Sequence, residues 1–381
     1  MTPVADATFA ELTTMRVGGP ADEVITAETS DDLVRHASRL WAEDEPWMLL
    51  GGGSNTVVSD DGFPGTVLLV RNTGIEVVES DATPAGRVRL RVQAGHDWDQ
   101  LVEACVERGW SGIEALSGVP GRAGAAPVQN IGAYGQELSD VLHSITFLDF
   151  ASDEVRRIPA AELALGYRTS AIKEGLAGVV LSIDLLLWAN EDRNNPMSGP
   201  VAYGQLADAL GVTVGDRVSI RELRRTVLRL RASKGMVLDA DDHDTWSSGS
   251  FFTNPIVTEH FARSLPLDAP KFPVPGAEPA PAVTSLEDLA AGAPLRIPDA
   301  APERMIKLSA AWLIERSGIS RGYRLPGSGA AVSSKHTLAI TNRGASSAAD
   351  VAELARFIVQ RVQQEFGVVL APEPNLYGLE A

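Results

Sequence analysis

Apolar and polar positions repeat along this chain with two periods, and the changes between them predict its elements. From Asp31 to Trp41 the apolar residues recur at helical spacing, which predicts an amphipathic helix capped by Asp31. Trp47 to Leu50 is a short apolar run, the signature of a buried strand, so the opening segment reads β-α-β. Val67–Val70, Ile75–Val78 and Val88–Ala94 run apolar or alternate and predict strands; Trp98–Arg108 predicts a helix. Leu142–Phe150 and Gly178–Trp188 read as paired strands flanking a turn at Gly166–Ser170. The polar, proline-bearing stretch Asn190–Pro200 breaks the pattern and reads as a linker. Beyond it come an amphipathic helix with a basic, solvated face at Ile220–Arg231 and a short helix at Ser309–Gly318. A long helix at Ala349–Phe366 and a strand at Val368–Ala371 close the chain. Pro266–Pro298 is rich in proline and alanine and reads as a surface excursion.

Two stretches fit neither period. Gly51-Gly52-Gly53-Ser54-Asn55 follows the Trp47–Leu50 strand directly. Gly118 to Gly135 packs five glycines and two prolines into almost uncharged sequence. Glycine allows close backbone approach, so such knots let main-chain N–H groups converge on an anionic ligand. Two knots suggest one dinucleotide held at both ends, although tight turns in a glycine-rich core would produce either alone. Gly51–Asn55 lacks the lysine of a Walker loop and the GxGxxG spacing of a Rossmann turn.

Composition narrows the ligand and the compartment. A chain of 381 residues is long for a single core and predicts two or three domains. Lys plus Arg number 33 against 50 Asp plus Glu, a net charge of −17, which disfavours nucleic acid and anionic membranes as partners. An anionic substrate must then be met by locally placed cations. The lone Cys105 has helix-core spacing and excludes an internal disulfide; the six histidines show no metal-binding pattern. No signal-like segment opens the sequence, and the cytoplasm is the expected compartment.

Three spots are hard to explain by packing. Arg168, in Gly166-Tyr167-Arg168-Thr169-Ser170, is placed to grip an anion beside the cofactor region, unless it is a solvated loop arginine. Ser250, in Gly249-Ser250-Phe251-Phe252-Thr253-Asn254-Pro255, offers a hydroxyl beside two aromatics but has no GxSxG frame, and a simple turn would read the same. Glu373 stands between two prolines, where apolar walls can hold a carboxylate protonated; a surface turn is the plain alternative.

Taken in order, Leu12–Ala21, Gly51–Asn55, Ser117–Gly135, Tyr167–Ser170, Tyr203–Leu206, Gly249–Pro255, Ala311–Glu315 and Pro372–Gly378 resemble the UDP-N-acetylenolpyruvoylglucosamine reductase family nearly end to end. The resemblance implies an α+β protein. Residues 1–189 would form an FAD-binding domain of the vanillyl-alcohol-oxidase type in two lobes, about 1–70 and 71–189. Residues 196–381 would form an α+β substrate-binding domain. It implies FAD lying along Gly51, Gly52, Gly53, Ser54 and Asn55, and along Ser117, Gly118, Gly121, Gly124, Asn130, Ile131, Gly132, Ala133 and Tyr134. NADPH would reduce the flavin, which passes hydride to UDP-N-acetylglucosamine enolpyruvate. Arg168 would polarise the enolpyruvyl carboxylate, Glu373 would assist it as a neutral donor, and Ser250 would protonate C2. Tyr167, Arg168, Tyr203 and Asn254 would contact substrate, Tyr203 as the capping tyrosine of the long-loop type. No metal, membrane or obligate protein partner is implied.

The pattern departs from the family in two respects, one being that the proline-rich Pro266–Pro298 region is longer than the common pattern requires. Better-known members carry a lysine about a dozen residues before the serine, whereas Gly235–Trp246 has none and Lys234 lies further back. Two readings compete with the resemblance. A different flavoenzyme on the same FAD domain, such as an oxidase of small alcohols or sugars, would share the glycine loops without needing Ser250 and Glu373 together. A cofactor-free nucleotide-sugar-binding protein would purify colourless.

Overall fold

The computed structural model describes residues 7–43, 45–192, 194–274 and 303–380. The chain opens with a small parallel sheet in the order Ala21–Ala27, Phe63–Val70, Trp47–Leu50. The helix Ser30–Ala42 crosses over it and buries Leu33, Ala37 and Leu40, one face at helical spacing. Its cap is Thr29 rather than Asp31: the Thr29 hydroxyl accepts from the Asp32 N–H at 3.0 Å. Asp31 and Asp32 sit instead in the first turn, where negative charge suits the helix dipole.

The second sheet is antiparallel, in the order Glu154–Pro159, Leu142–Asp149, Gly178–Ala189, Arg87–Gln93, Ile75–Val77. The sequence pattern did not predict the edge strand Glu154–Pro159, because only Ile158 in it is buried and a solvated edge carries no apolar alternation. One face of the sheet packs Leu90, Val92, Phe147 and Ile183 against Leu101 and Cys105 of the helix Trp98–Glu107 and against Ala123 and Ala126 of the glycine loop. Burial there pushes the Cys105 thiol up to about 12, so it is inert packing.

Helices Gly204–Leu210 and Ile220–Ser233 close over the glycine loop, with Leu223 and Val227 against Ala115. The basic face of Ile220–Ser233 is not simply solvated as the pattern suggested. Arg224 is 9 % exposed and forks onto Asp99 at 2.6 and 3.0 Å, because the helix lies against Trp98–Glu107.

Met305–Leu308 lies between Ile256–Thr258 and Lys271–Pro273 in a small antiparallel sheet. The remainder of the expected Pro266–Pro298 excursion, from residue 275, lies outside the described residues. Ser309 caps Ala310–Arg316. Ser347 caps Ala348–Phe366, which stops at Gly367 with φ +68°. Val368–Ala371 is not a strand: Val368 and Leu370 turn inward, and only an isolated bridge, Phe252 to Pro372, follows it. The strand lies later, at Asn375–Tyr377, parallel to Thr56–Val58. This return ties the end of the chain to the first glycine turn. No helix among the described residues is long and apolar enough to cross a membrane.

Candidate active site

The two glycine knots touch. A Cβ on Gly52 would lie 2.8 Å from the Gly121 Cα, so only bare backbone lets the loops meet. The Ser54 hydroxyl donates to the Pro120 carbonyl at 3.2 Å, and Arg71 Nη1 donates to the Gly51 carbonyl at 2.8 Å. Asn55 Nδ2 reaches Gln129 Oε1 at 3.3 Å and the Glu373 carbonyl at 3.2 Å. The first turn therefore binds both the second loop and the tail that carries Glu373.

The side chains of the long loop are mostly spent on its own shape. Ser117, fully buried, donates to the Glu114 carbonyl at 2.6 Å. Asn130, with φ +45° and 1 % exposure, donates to Glu137, Ser139 and the Gly166 carbonyl and accepts the Ser139 N–H at 3.0 Å. A Cβ on Gly124 would meet the Ala94 Cβ at 2.5 Å, fixing the loop against the sheet. Gly118 and Gly121 take φ of +70° and +124°. Ile131 and Leu138 pair main chain to main chain at 2.9 Å, and Gly132–Ala133 pairs with Gln136–Glu137, so the loop ends in a hairpin. Tyr134 tops it, edge-on to Tyr203 at 5.8 Å between ring centres. Backbone, rather than side chain, is what this loop has left to offer a ligand.

Arg168 stands in a tight turn with φ +55°, a left-handed conformation that a non-glycine residue adopts at a cost. Asn130 braces the turn through Gly166, and the buried Ser170 braces it by donating to the Val128 carbonyl at 2.6 Å. So held, Arg168 reaches the Gly132 carbonyl with Nη2 at 3.2 Å and Glu373 Oε1 with Nε at 3.1 Å. Burial pushes the Glu373 carboxyl above its ordinary value, while Arg168 and Lys173 pull it down. The Glu373 N–H donates to the Phe251 carbonyl at 2.8 Å. Ser250 is therefore next in chain to the residue on which Glu373 rests. Gly249, at φ +78°, turns the chain into it.

The substrate-contact residues divide. Tyr167 is 39 % exposed and has Lys307 Nζ 4.9 Å above its ring. Tyr203 is 46 % exposed at the start of its helix. Asn254 accepts the Ala310 N–H with Oδ1 at 3.0 Å, which fixes the helix behind the site and leaves its amide NH₂ uncommitted by that bond. Lys234 is not remote in space. Its Nζ lies 5.6 Å above the Tyr134 ring and donates to Gln205 Oε1 at 2.9 Å. Burial first, and Arg231 second, lower its pKa.

Two groups went unremarked in the sequence. Arg231 lies behind Gly118; its Nη2 donates to the Met236 carbonyl at 2.9 Å, while its Nε is buried without a partner among the described residues. Both ring nitrogens of His96, beside Arg122, are likewise buried without partners. Orphaned polar atoms at a bare-backbone cradle are what a polar cofactor would satisfy, so the site fits a dinucleotide. A helical arginine one turn inside a basic face gives no local sign of this.

The C-terminal-domain model of UDP-N-acetylenolpyruvoylglucosamine reductase matches residues 241–377, and an FAD-binding domain model matches residues 21–158. The UDP-N-acetylenolpyruvoylglucosamine reductase of Leifsonia xyli is 57 % identical over 375 residues, covering 97 % of both chains. That of Salinispora arenicola is 44 % identical, covering 98 % of this chain and 95 % of its own. The crystal structure of the Thermus caldophilus enzyme superposes with a TM-score of 0.60 at 24 % identity, covering 99 % of each chain, and shares the fold. With a relative this similar along nearly its whole length, the chain belongs to the UDP-N-acetylenolpyruvoylglucosamine reductase family.

Proposed function

We propose that Arg168, Glu373 and Ser250 are the reacting side chains of this reductase, and that the glycine knots hold its cofactor by backbone. The chain is an FAD-dependent oxidoreductase that reduces UDP-N-acetylenolpyruvoylglucosamine in peptidoglycan precursor synthesis, with NADPH as reductant. Bound FAD supplies the hydride for the enolpyruvyl double bond. Charge then grows on the enolpyruvyl carboxylate, and the Arg168 guanidinium, fixed by its turn, meets that charge without reorganising. Glu373, whose carboxyl burial raises, would in its protonated form donate to the same carboxylate. The Ser250 hydroxyl gives its proton to C2. A hydroxyl is a poor acid, so this step relies on a strongly basic enolate held beside it.

Arg231 would face the electron-rich part of the cofactor, since a buried guanidinium lacking a carboxylate partner favours an anion. Tyr203, edge-on to Tyr134 at 5.8 Å, would close over the substrate, with Lys234 and Lys307 meeting its diphosphate. On this reading residues 1–189 serve the cofactor and 196–381 the substrate, apart from Arg231, which reaches the cofactor, in the cytoplasm, without an obligate protein partner.

The observation that carries the assignment is the contact of Arg168 Nε with Glu373 Oε1 at 3.1 Å, with the Glu373 backbone resting on the Phe251 carbonyl beside Ser250. The test is anaerobic: NADPH should bleach the yellow protein, and the enolpyruvyl nucleotide should restore its colour in wild type but not in Arg168→Ala. Reoxidation by oxygen alone, with the nucleotide inert, would favour an oxidase instead.

A further inference from the structure

The antiparallel sheet has a second face, turned away from the glycine loop. Residues there alternate with the core positions Val92, Ile145, Phe147, Ile158 and Ile183. Across four strands, Arg157 pairs with Thr146, Thr146 with Ser182, and Ser182 with Gln93, which aligns four polar side chains in one row. They line a cleft of about 440 Å³ whose opposite wall is Ser30, in the first turn of the helix Ser30–Ala42.

Behind this row stands an unusual charge cluster. Asp184, 1 % exposed, is shared by Arg89 at 2.7 Å, Arg91 at 3.1 Å and Arg157 at 3.3 Å. One carboxylate cannot neutralise three guanidiniums. Arg157 meets it with one nitrogen and is 44 % exposed, so the rest of its fork is open to the cleft. Ser144, paired across from Asp184 in the adjoining row and 1 % exposed, has its hydroxyl buried without a partner among the described residues. The opposing acids are exposed: Asp31 on the rim, and Glu76 across from Arg91. Arg156 lines the same wall but is paired with Asp149 at 2.8 Å. In a chain of net charge −17, a row of polar groups backed by three arginines that share one buried carboxylate suits an anion.

We propose that this cleft binds the phosphate group of a small molecule, separately from the cofactor and the substrate. Arg157 gives the charge, and Thr146, Ser182 and Gln93 give neutral hydrogen bonds. The Ser30 hydroxyl and Gln93 Oε1, 2.8 Å apart, both accept from the buried Asn72 amide at 3.1 and 3.2 Å. Asn72 also accepts the Gly95 N–H at 2.9 Å, next in chain to the Arg71 that holds the Gly51 carbonyl. An occupied cleft would thus brace the helix against the sheet on which the cofactor loops rest.

The test is a titration of the FAD-loaded enzyme with inorganic phosphate and with phenyl phosphate, against chloride at matched ionic strength. Heat of binding and thermal midpoint are the readouts. Saturable binding with a raised midpoint is expected in wild type. Arg157→Gln should weaken it by roughly tenfold or more, as for a lost charge-assisted hydrogen bond, while turnover is unchanged. Tighter binding of the ester marks a phosphorylated metabolite, and tighter binding of inorganic phosphate marks free phosphate. Absence of saturable binding overturns the proposal. So does binding that survives Arg157→Gln and is lost in Lys234→Gln, because that anion would occupy the substrate pocket.

Discussion

Arg168 Nε lies 3.1 Å from Glu373 Oε1, and Asn55, in the first glycine turn, holds the carbonyl of that same glutamate. The cation and the buried acid are therefore set against the cofactor cradle by the chain's own return, before any ligand arrives.

Burial of Glu373, against the pull of Arg168 and Lys173, sets a pH dependence. Burial raises the Glu373 carboxyl from its ordinary 4.5, so the folded state binds this proton more tightly than the unfolded state. Its contribution to stability is full below 4.5 and is lost as pH rises through the folded value. Urea unfolding of wild type and Glu373→Gln across that range should show wild type losing stability relative to the variant as pH rises. A difference that stays flat with pH would mean that the carboxyl is not raised.

Arg168→Lys keeps one charge but cannot reach the Gly132 carbonyl and Glu373 together, as the guanidinium fork does. Substrate-driven reoxidation of the flavin should slow by roughly 10²-fold, the scale of a lost charge-stabilising donor. Flavin reduction by NADPH and flavin content should change little. Stopped-flow absorbance separates the two half-reactions, and equal losses in both would give Arg168 a structural role only.

Gly52→Val drives a side chain into the Gly121 backbone, which cannot move aside. Purified protein should be colourless, with flavin occupancy lowered about tenfold or more, while the far-ultraviolet circular dichroism of the fold persists. Gly132→Val is the contrasting case. Its Cβ would meet the Glu137 Cγ at 2.9 Å, part of a flexible side chain, so it should keep more flavin than Gly52→Val. The reverse order would misplace the contact between the two loops.

Ser250→Ala removes a hydroxyl without altering charge and with little change of volume. FAD binding, reduction by NADPH and nucleotide affinity should all survive. Turnover should fall by roughly 10²- to 10⁴-fold, as for a lost general acid. Solvent deuterium at C2 of the product reports the same step, and normal product at wild-type rate would remove Ser250 from the proton path.

The local chemistry of this protein could be read from its sequence, because it is written in short-range terms. Glycine knots, the strands before them, the amphipathic helices and the ordered motifs depend on steric permission and periodicity within a few residues, and they sufficed to indicate the family and its cofactor. What they could not decide is which distant groups meet. Glu373 and Arg168 are joined because Asn375–Tyr377 pairs with Thr56–Val58, although the apolar run that resembled a strand was Val368–Ala371. Lys234 looked too far from Ser250 in sequence but stands over Tyr134 in the fold. The basic face of Ile220–Ser233 looked solvated, yet it puts Arg224 on Asp99 and buries Arg231 behind Gly118. The edge strand Glu154–Pro159 brings Arg157 beside Arg89, Arg91 and Asp184, and its polar sequence gave no sign of it. In each case the deciding contact joins residues far apart in the chain. Periodicity reports which side of an element faces inward, and only the packed sheets and the chain's return determine what it faces.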